Sequence, residues 1–329
     1  MTTPFYEQLV LVDGNLFEGF LVLFFALLLA RLAPLPREMQ PLIWFGHLAK
    51  RLAAKVNKPE RSPSQRVTAG LLASLLLILP FWGIISFLLE LAAFPWFFEF
   101  LVLYLCLSDA SFSQVADDVA QALERDDNAG AKRLLRLWVA RDTQNLSPVG
   151  VSKATIEKLV SSPVYGTAAT LFFFGLAGAS AVLAVRMLKQ LELAWPALDP
   201  RYRHFNRPVY LTSSVLLLIP SWLWSFSLAI QGGPRALKAL LSPPVSRFPL
   251  GNTLLSLHVS ATILGLELGG PQKFNNIRIA VEPIGRGPLP NGAQIRPAVK
   301  LASRACALWF SSVVILPLLW AGLRWQQSL

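Results

Sequence analysis

Four stretches of this chain, 67–89, 159–185, 208–234 and 305–323, contain no Asp, Glu, Lys or Arg. A membrane-crossing helix needs about 20 consecutive apolar residues, so each is long enough to span a bilayer. A fifth run, 19–30, is apolar between Glu18 and Arg31. A soluble domain with a single core cannot cover that much apolar surface. Hydrophobic residues make up 54% of the 329, charged residues only 15%, and mean hydropathy is +0.50. Disordered, fibrous, coiled-coil and disulfide-stapled classes are excluded on the same ground. Cys106 and Cys306 both lie in apolar stretches and form neither a disulfide framework nor a thiolate metal motif.

The net charge of +11 has a simple source in such a chain, because cytoplasmic loops of membrane proteins collect Lys and Arg. Nucleic acid is therefore not an expected partner; the lipid bilayer is. Arg31–Arg66 carries eight basic residues and is expected inside. Up to Glu18 there are Glu7, Asp13 and Glu18 but no basic residue, so the first apolar run is expected to be a retained span. The apolar but interrupted run 90–108 is either a crossing or a re-entrant hairpin. Counting it as a crossing places most Lys and Arg inside. The expectation is thus a single-domain, all-α, polytopic inner-membrane protein with about six membrane segments and both termini periplasmic. The loop 186–207, with five basic residues, breaks that pattern: either its charges serve a site or it folds back to the cytoplasmic side.

Loop 109–158 reads as two amphipathic helices broken at Asn128–Gly130. The Gly- and Pro-rich region 268–297 reads as an irregular loop. There is no Walker-type or dinucleotide Gly-rich loop and no His-Glu-x-x-His. His47, His204 and His258 are far apart in sequence and read as interfacial or satisfied polar residues. Ionisable groups in apolar settings are better pointers: Glu90 and Glu99 flank Pro95, and Glu192 and Glu267 sit in QLELAW and LGLELGG. Arg141-Asp142-Thr143 combines a planar phosphate fork, a hard oxygen ligand and a hydroxyl, although a helix-end salt bridge explains it equally well. Gly269-Gly270-Pro271 permits close ligand approach, or makes a plain turn.

Several short motifs in a fixed order resemble the CobD/CbiB family of membrane proteins, the adenosylcobinamide-phosphate synthases of cobalamin biosynthesis. They are Gln40–Gly46 (QPLIWFG), Trp138–Leu146 (WVARDTQNL), Ile156-Glu157, Gly166 with Leu171-Phe172, Leu191-Glu192, Tyr202-Arg203, Pro220 and Leu268–Pro271 (LGGP). The resemblance implies an ATP- and magnesium-dependent amide ligation joining adenosylcobyric acid, a corrinoid substrate, to an aminopropanol or its phosphate. It also implies site residues: Asp142 and Glu192 as catalytic groups sharing one magnesium ion, and Arg141, Thr143, Lys189, Gly269 and Gly270 toward substrate or phosphate. The departures fall where that chemistry would be carried. Ser161–Gly166 (SSPVYG) stands where the family has Glu-Asn-Thr-x-Asp-Gly, and Ser213-Ser214 where it has Asp-Asp. Lys189, Glu192 and Gln40 replace an Asn, an Asp and a His. A second reading stays open, a relative that keeps the fold without the ligase, as the AmpE branch resembles a membrane sensor.

Overall fold

The computed structural model describes residues 5–107, 111–246 and 249–328, and their side chains except those at 5–13, 15, 16, 327 and 328. Asp109, which opens the amphipathic loop, and the side chains of Glu7 and Asp13 lie outside what is described. The chain is almost entirely helical. Helices α1 (Phe5–Leu32), α2 (Pro41–Val56), α3 (Pro63–Leu91) and α4 (Pro95–Cys106) are followed by α5 (Phe112–Glu124), α6 (Asn128–Arg136), α7 (Pro148–Pro163) and α8 (Ala169–Ala194). Then come α9 (Arg207–Leu216), α10 (Leu218–Ala229), α11 (Gly233–Leu241), α12 (Thr253–Leu264) and α13 (Ile295–Ser328).

Three helical stretches are long and apolar enough to cross a membrane: Pro63–Leu91, Pro148–Ala194 and Gly292–Gln326. A fourth is added if α9 and Leu218–Leu241, bent by 55°, count as one span. Only 17% of the apolar window of α3 and 11% of that of the last helix are buried within the protein. Leu72, Leu76, Ile84 and Phe87 point outward on α3, as do Leu318, Leu319 and Leu323 on α13. That inside-out distribution is stable only where the solvent is itself apolar, so this is an all-α membrane protein. At 12 residues, α4 rises about 18 Å, short of a roughly 30 Å hydrocarbon core. It lies against α1, and its Tyr104 hydroxyl donates to the Ala33 carbonyl at 2.6 Å.

The charge-free stretch 159–185 does not run straight. Pro163 lacks an N–H, and the helix passes through a π-helical turn, Val164–Ala168. Farther on, Ala177 (φ −153°) and Gly178 (φ +73°, ψ −174°) leave helical geometry altogether. That region of φ/ψ space is open essentially to glycine alone. The chain reverses there: Arg186 returns to donate to the Tyr165 carbonyl at 2.8 Å, and Trp195 donates to the Ala49 carbonyl of α2 at 3.0 Å. Trp82 of α3 holds the tip by donating to the Ser180 carbonyl. From Tyr165 to Ala177 is 12 residues, an arm of about 18 Å. The stretch is a helical hairpin, and 186–207 therefore returns to the face that carries 31–66. Arg66 and Asn57 both donate to the Arg201 carbonyl.

The amphipathic region forms two helices as expected, but the break falls at Arg125–Asp127, and Asn128–Gly130 are already the first turn of α6. The Asp127 carboxylate caps that turn by accepting from the Gly130 N–H at 2.7 Å. The Gly/Pro-rich region is more ordered than an irregular loop. Strand β1 (Leu268–Gly269) pairs antiparallel with β4 (Pro283–Ile284), and β2 (Gln272–Phe274) with β3 (Ile277–Ile279). Asn275 and Asn276, both at positive φ, close the β2–β3 hairpin, a conformation that Asn tolerates. Buried apolar side chains of α5, α6, α7, α12 and this region form a second core beside the membrane helices.

Candidate functional site: a cationic cavity at the hairpin

Two faces of α7 meet different neighbours. Lys153 and Glu157, at i and i+4, face the β1 turn. Glu157 accepts from Arg141 at 2.7 Å and from the Gly269 N–H at 2.7 Å, and Lys153 bonds Glu267 at 2.9 Å. The Arg141–Glu157 pair is nearly enclosed, at 10% and 11% side-chain exposure. Gly269 (φ +66°) could not carry a side chain, since a Cβ there would sit 2.9 Å from the Glu282 carbonyl; Gly270 follows at φ +90°. Asp142 seals the β2–β3 hairpin: its N–H donates to the Lys273 carbonyl and its carboxylate accepts from the Asn276 N–H at 2.9 Å. Thr143 is buried and its carbonyl accepts from the Leu146 N–H.

Lys158, Ser162 and Tyr165, at i, i+4 and i+7, occupy another face and line a cavity of about 700 Å³. Arg186 and Gln190 of the returning arm form the facing wall, with Gln40, Gly46 and Lys50 from α2 and its approach. The floor is buried: Arg186 is 5% exposed and Tyr165 5%. The mouth is open, at Trp44, His47, Lys50 and Arg136. Lys158 donates to the Tyr165 hydroxyl, and the Lys158, Arg186 and Lys189 cations stand 5.2, 5.4 and 5.3 Å from that ring's centroid. Trp138 is stacked beneath the Arg37 guanidinium at 4.8 Å.

Five cations, Arg37, Lys50, Arg136, Lys158 and Arg186, line this space against one carboxylate among the described residues, Glu38 at the exposed rim. Their partial burial has a consequence at the rim. Burial, and then the charge of Arg37, push the Lys50 ammonium below the ordinary lysine range, and burial lowers Arg37 as well.

The expected site residues thus fall into separate networks. Arg141, Gly269 and, through Glu157, α7 are brought together; Asp142 is committed to the neighbouring hairpin. Lys189 pairs with Glu192 at 2.7 Å, and Glu192 also accepts from Ser213. No group of three or more His, Cys, Asp or Glu among the described residues converges to hold a metal ion. Residue-by-residue reading missed Lys158, and it met Arg186 only as one of the basic residues of loop 186–207. A signal was present, since these two cations bound the charge-free stretch 159–185 on either side, and a Gly in its second half can fold one end onto the other.

A family model described as "CobD/Cbib protein" matches residues 23–302. Among curated relatives, the chain is 31% identical to "Cobalamin biosynthesis protein CobD" of Stutzerimonas stutzeri (strain A1501), over 88% of this chain and 95% of that protein. It is 30% identical to the protein of the same name from Chromobacterium violaceum, over 86% and 92%. It is 28% identical to "Cobalamin biosynthesis protein CbiB" of Salmonella typhimurium (strain LT2), over 73% and 77%. No solved structure matches. With the family model covering all but the ends of the chain, and its motifs distributed over the walls just described, the chain belongs to the CobD/CbiB family.

Proposed function

We propose that the protein acts in cobalamin biosynthesis as a multi-pass protein of the bacterial inner membrane, and that its cationic cavity binds the anionic end of its substrate. The observation that carries this reading is the buried floor of Lys158, Arg186 and Tyr165 beneath a rim of Arg37, Lys50 and Arg136. Guanidinium and ammonium groups in a partly desolvated site are phosphate receptors. The reaction in this reading is amide ligation of adenosylcobyric acid with an aminopropanol or its phosphate. A flat corrinoid ring stays at the mouth, against Trp44 and Leu137, both more than half exposed, while the reacting arm reaches inward.

ATP, when bound, supplies the leaving group that activates a carboxylate. The donor set fits its phosphates, with Lys158 and Arg186 on the floor and Arg37, Lys50 and Arg136 above them. The residues do not fit magnesium in the same way. Asp142 and Glu192 are each held by internal donors in different networks, so no step is assigned through that ion. This chain's own residues bind and orient: Arg186 ties the two hairpin arms at the Tyr165 carbonyl, and Lys158 fixes the Tyr165 hydroxyl toward the cavity.

The same observation supports a second reading, a non-catalytic AmpE-like membrane sensor that keeps the anion site. Complementation separates the two. A cobalamin-auxotrophic strain lacking its own CobD/CbiB protein should grow when this chain is expressed in its membranes. Absence of growth from well-expressed protein refutes the ligase and favours the sensor.

A further inference from the structure

Two segments far apart in the chain meet at the start of α3. Asn57 and Arg66 both donate to the Arg201 carbonyl, and the Asn57 side-chain oxygen accepts from Arg66 at 2.8 Å. Next to them α3 packs on α9, so closely that a Cβ on Gly70 would sit 1.8 Å from the Phe205 carbonyl oxygen. Residues 57–66 and 199–207 are thereby joined, with six Lys or Arg against two acids, Glu60 and Asp199. Asp199 is buried and already taken by Arg201 and Asn275. Lys58, Arg203 and Arg207 are exposed, and among the described residues none of the three enters an ion pair.

Beyond these charges both helices turn apolar side chains outward. Arg66 immediately precedes the charge-free stretch 67–89, where Leu71, Leu72, Leu75 and Leu76 are 42–64% exposed. Arg207 immediately precedes the charge-free stretch 208–234, where Leu211 and Val215 are 52% and 73% exposed. The first outward leucine therefore lies about 6–8 Å beyond the last cation of each helix. That is the depth of one headgroup layer, since a bilayer of about 40–45 Å surrounds a hydrocarbon core of about 30 Å. The far end of α3 has the opposite character, with Glu90 and no Lys or Arg anywhere in 67–124. A soluble phosphate would use only the basic half of this surface; a phospholipid fits both halves.

We infer that the α3–α9 junction is a binding site for an anionic phospholipid of the leaflet on the side of 31–66. Its phosphate faces Lys58, Arg203 and Arg207, and its acyl chains lie along the outward leucines of α3 and α9. Arg61 and Arg66 add charge while donating to the Val56 and Arg201 carbonyls. Basic clusters beside membrane helices attract anionic headgroups in this way. The inference is independent of the cavity and of the reaction assigned to it.

The test uses the full chain in phosphatidylcholine nanodiscs, with Cys106→Ala, Cys306→Ala and a bimane fluorophore on Thr68→Cys, an exposed position between Arg66 and Leu71. Quenching is compared between phosphatidylglycerol and phosphatidylcholine carrying the same nitroxide near the top of one acyl chain. The anionic lipid should reach half-quenching at about fivefold lower mole fraction, the effect of one basic residue at an anionic headgroup. Added salt should erode that preference. Arg203→Gln with Arg207→Gln should bring it below about twofold with the melting temperature unchanged, and Lys58→Gln should lower it in the same direction. A bimane on Leu316→Cys of α13, which is exposed within an apolar run, should show no preference between the two lipids. Equal quenching by both lipids at the Thr68 probe overturns the inference. So does a preference that survives all of these variants, or one equally strong at the Leu316 probe. A preference abolished by inorganic phosphate at constant ionic strength would assign the cations to a soluble anion and likewise overturn the lipid site.

Discussion

Replacing Glu157 by Ala tests whether one buried carboxylate organises the junction between α7 and the β1 turn. Its two oxygens satisfy Arg141 and the Gly269 N–H, both at 2.7 Å, and the Arg141 side chain is 10% exposed. Glu157→Ala leaves that guanidinium buried without its partner, which costs about 3–5 kcal/mol. With an unfolding entropy of about 2.1 cal/mol/K per residue, 329 residues give about 0.7 kcal/mol/K, so Tm should fall by about 4–7 °C. Removing both partners behaves differently. Arg141→Met with Glu157→Leu deletes the charge as well as its counter-charge and leaves chiefly the Gly269 N–H unsatisfied, about 1–3 kcal/mol. The double variant should therefore unfold at a higher temperature than Glu157→Ala alone. Tryptophan-fluorescence melts of the purified protein in one detergent provide the comparison. A shift below about 2 °C for Glu157→Ala, or a double variant no better than the single, would refute the claim that this pair holds the β1 turn against the helix.

Other consequences follow from the hairpin and the cavity. Gly178→Ala places a side chain at φ +73° and ψ −174° and should cost about 1–3 kcal/mol, whereas Gly175→Ala, helical and in open space, should be neutral or stabilising in the same melts. In a background with Cys106→Ala and Cys306→Ala, Glu60→Cys and Ala197→Cys should react with an impermeant maleimide from the same side of sealed vesicles; labelling from opposite sides would restore 159–185 as a crossing. Because burial and Arg37 hold Lys50 below the ordinary lysine range, raising pH through that lowered value discharges it and pyrophosphate affinity should fall. The groups around it, Arg37, Glu38, His47, Arg136, Lys158 and Arg186, include no other ammonium at the rim, so Lys50→Arg should flatten that part of the profile and an unchanged profile would count against Lys50.

Fold class was legible because it rests on additive, one-dimensional quantities. Hydropathy and charge-free length decide that a chain must find lipid, wherever its helices end up, and the exposed leucines of α3 and α13 repeat that message in three dimensions. The ordered motifs were equally legible, and with them the family. Helix α5 and helix α6 followed from periodicity, and only their junction moved, since Asp127 captured the Gly130 N–H and started the second helix earlier than the break residues suggested.

What the linear chain left open was direction and proximity. Residues 159–185 have the length and hydropathy of a crossing, and composition does not distinguish a straight helix from one folded at Ala177–Gly178; the reversal is fixed by Trp82, Arg186 and Trp195 binding distant carbonyls. That reversal moves the basic loop 186–207 onto the face of 31–66 and unites Lys158 with Arg186, making one cavity from two ends of an apolar run. The fate of each acid was likewise decided by tertiary contacts. Asp142 and Glu192 look alike as candidates in sequence, and Glu157 stands only within a motif, yet each is claimed by a donor from elsewhere in the chain or one turn away. Sequence alone determined the solvent and the family, because both are sums along the chain; the sign and shape of the site were decided by the fold, because charges interact through space.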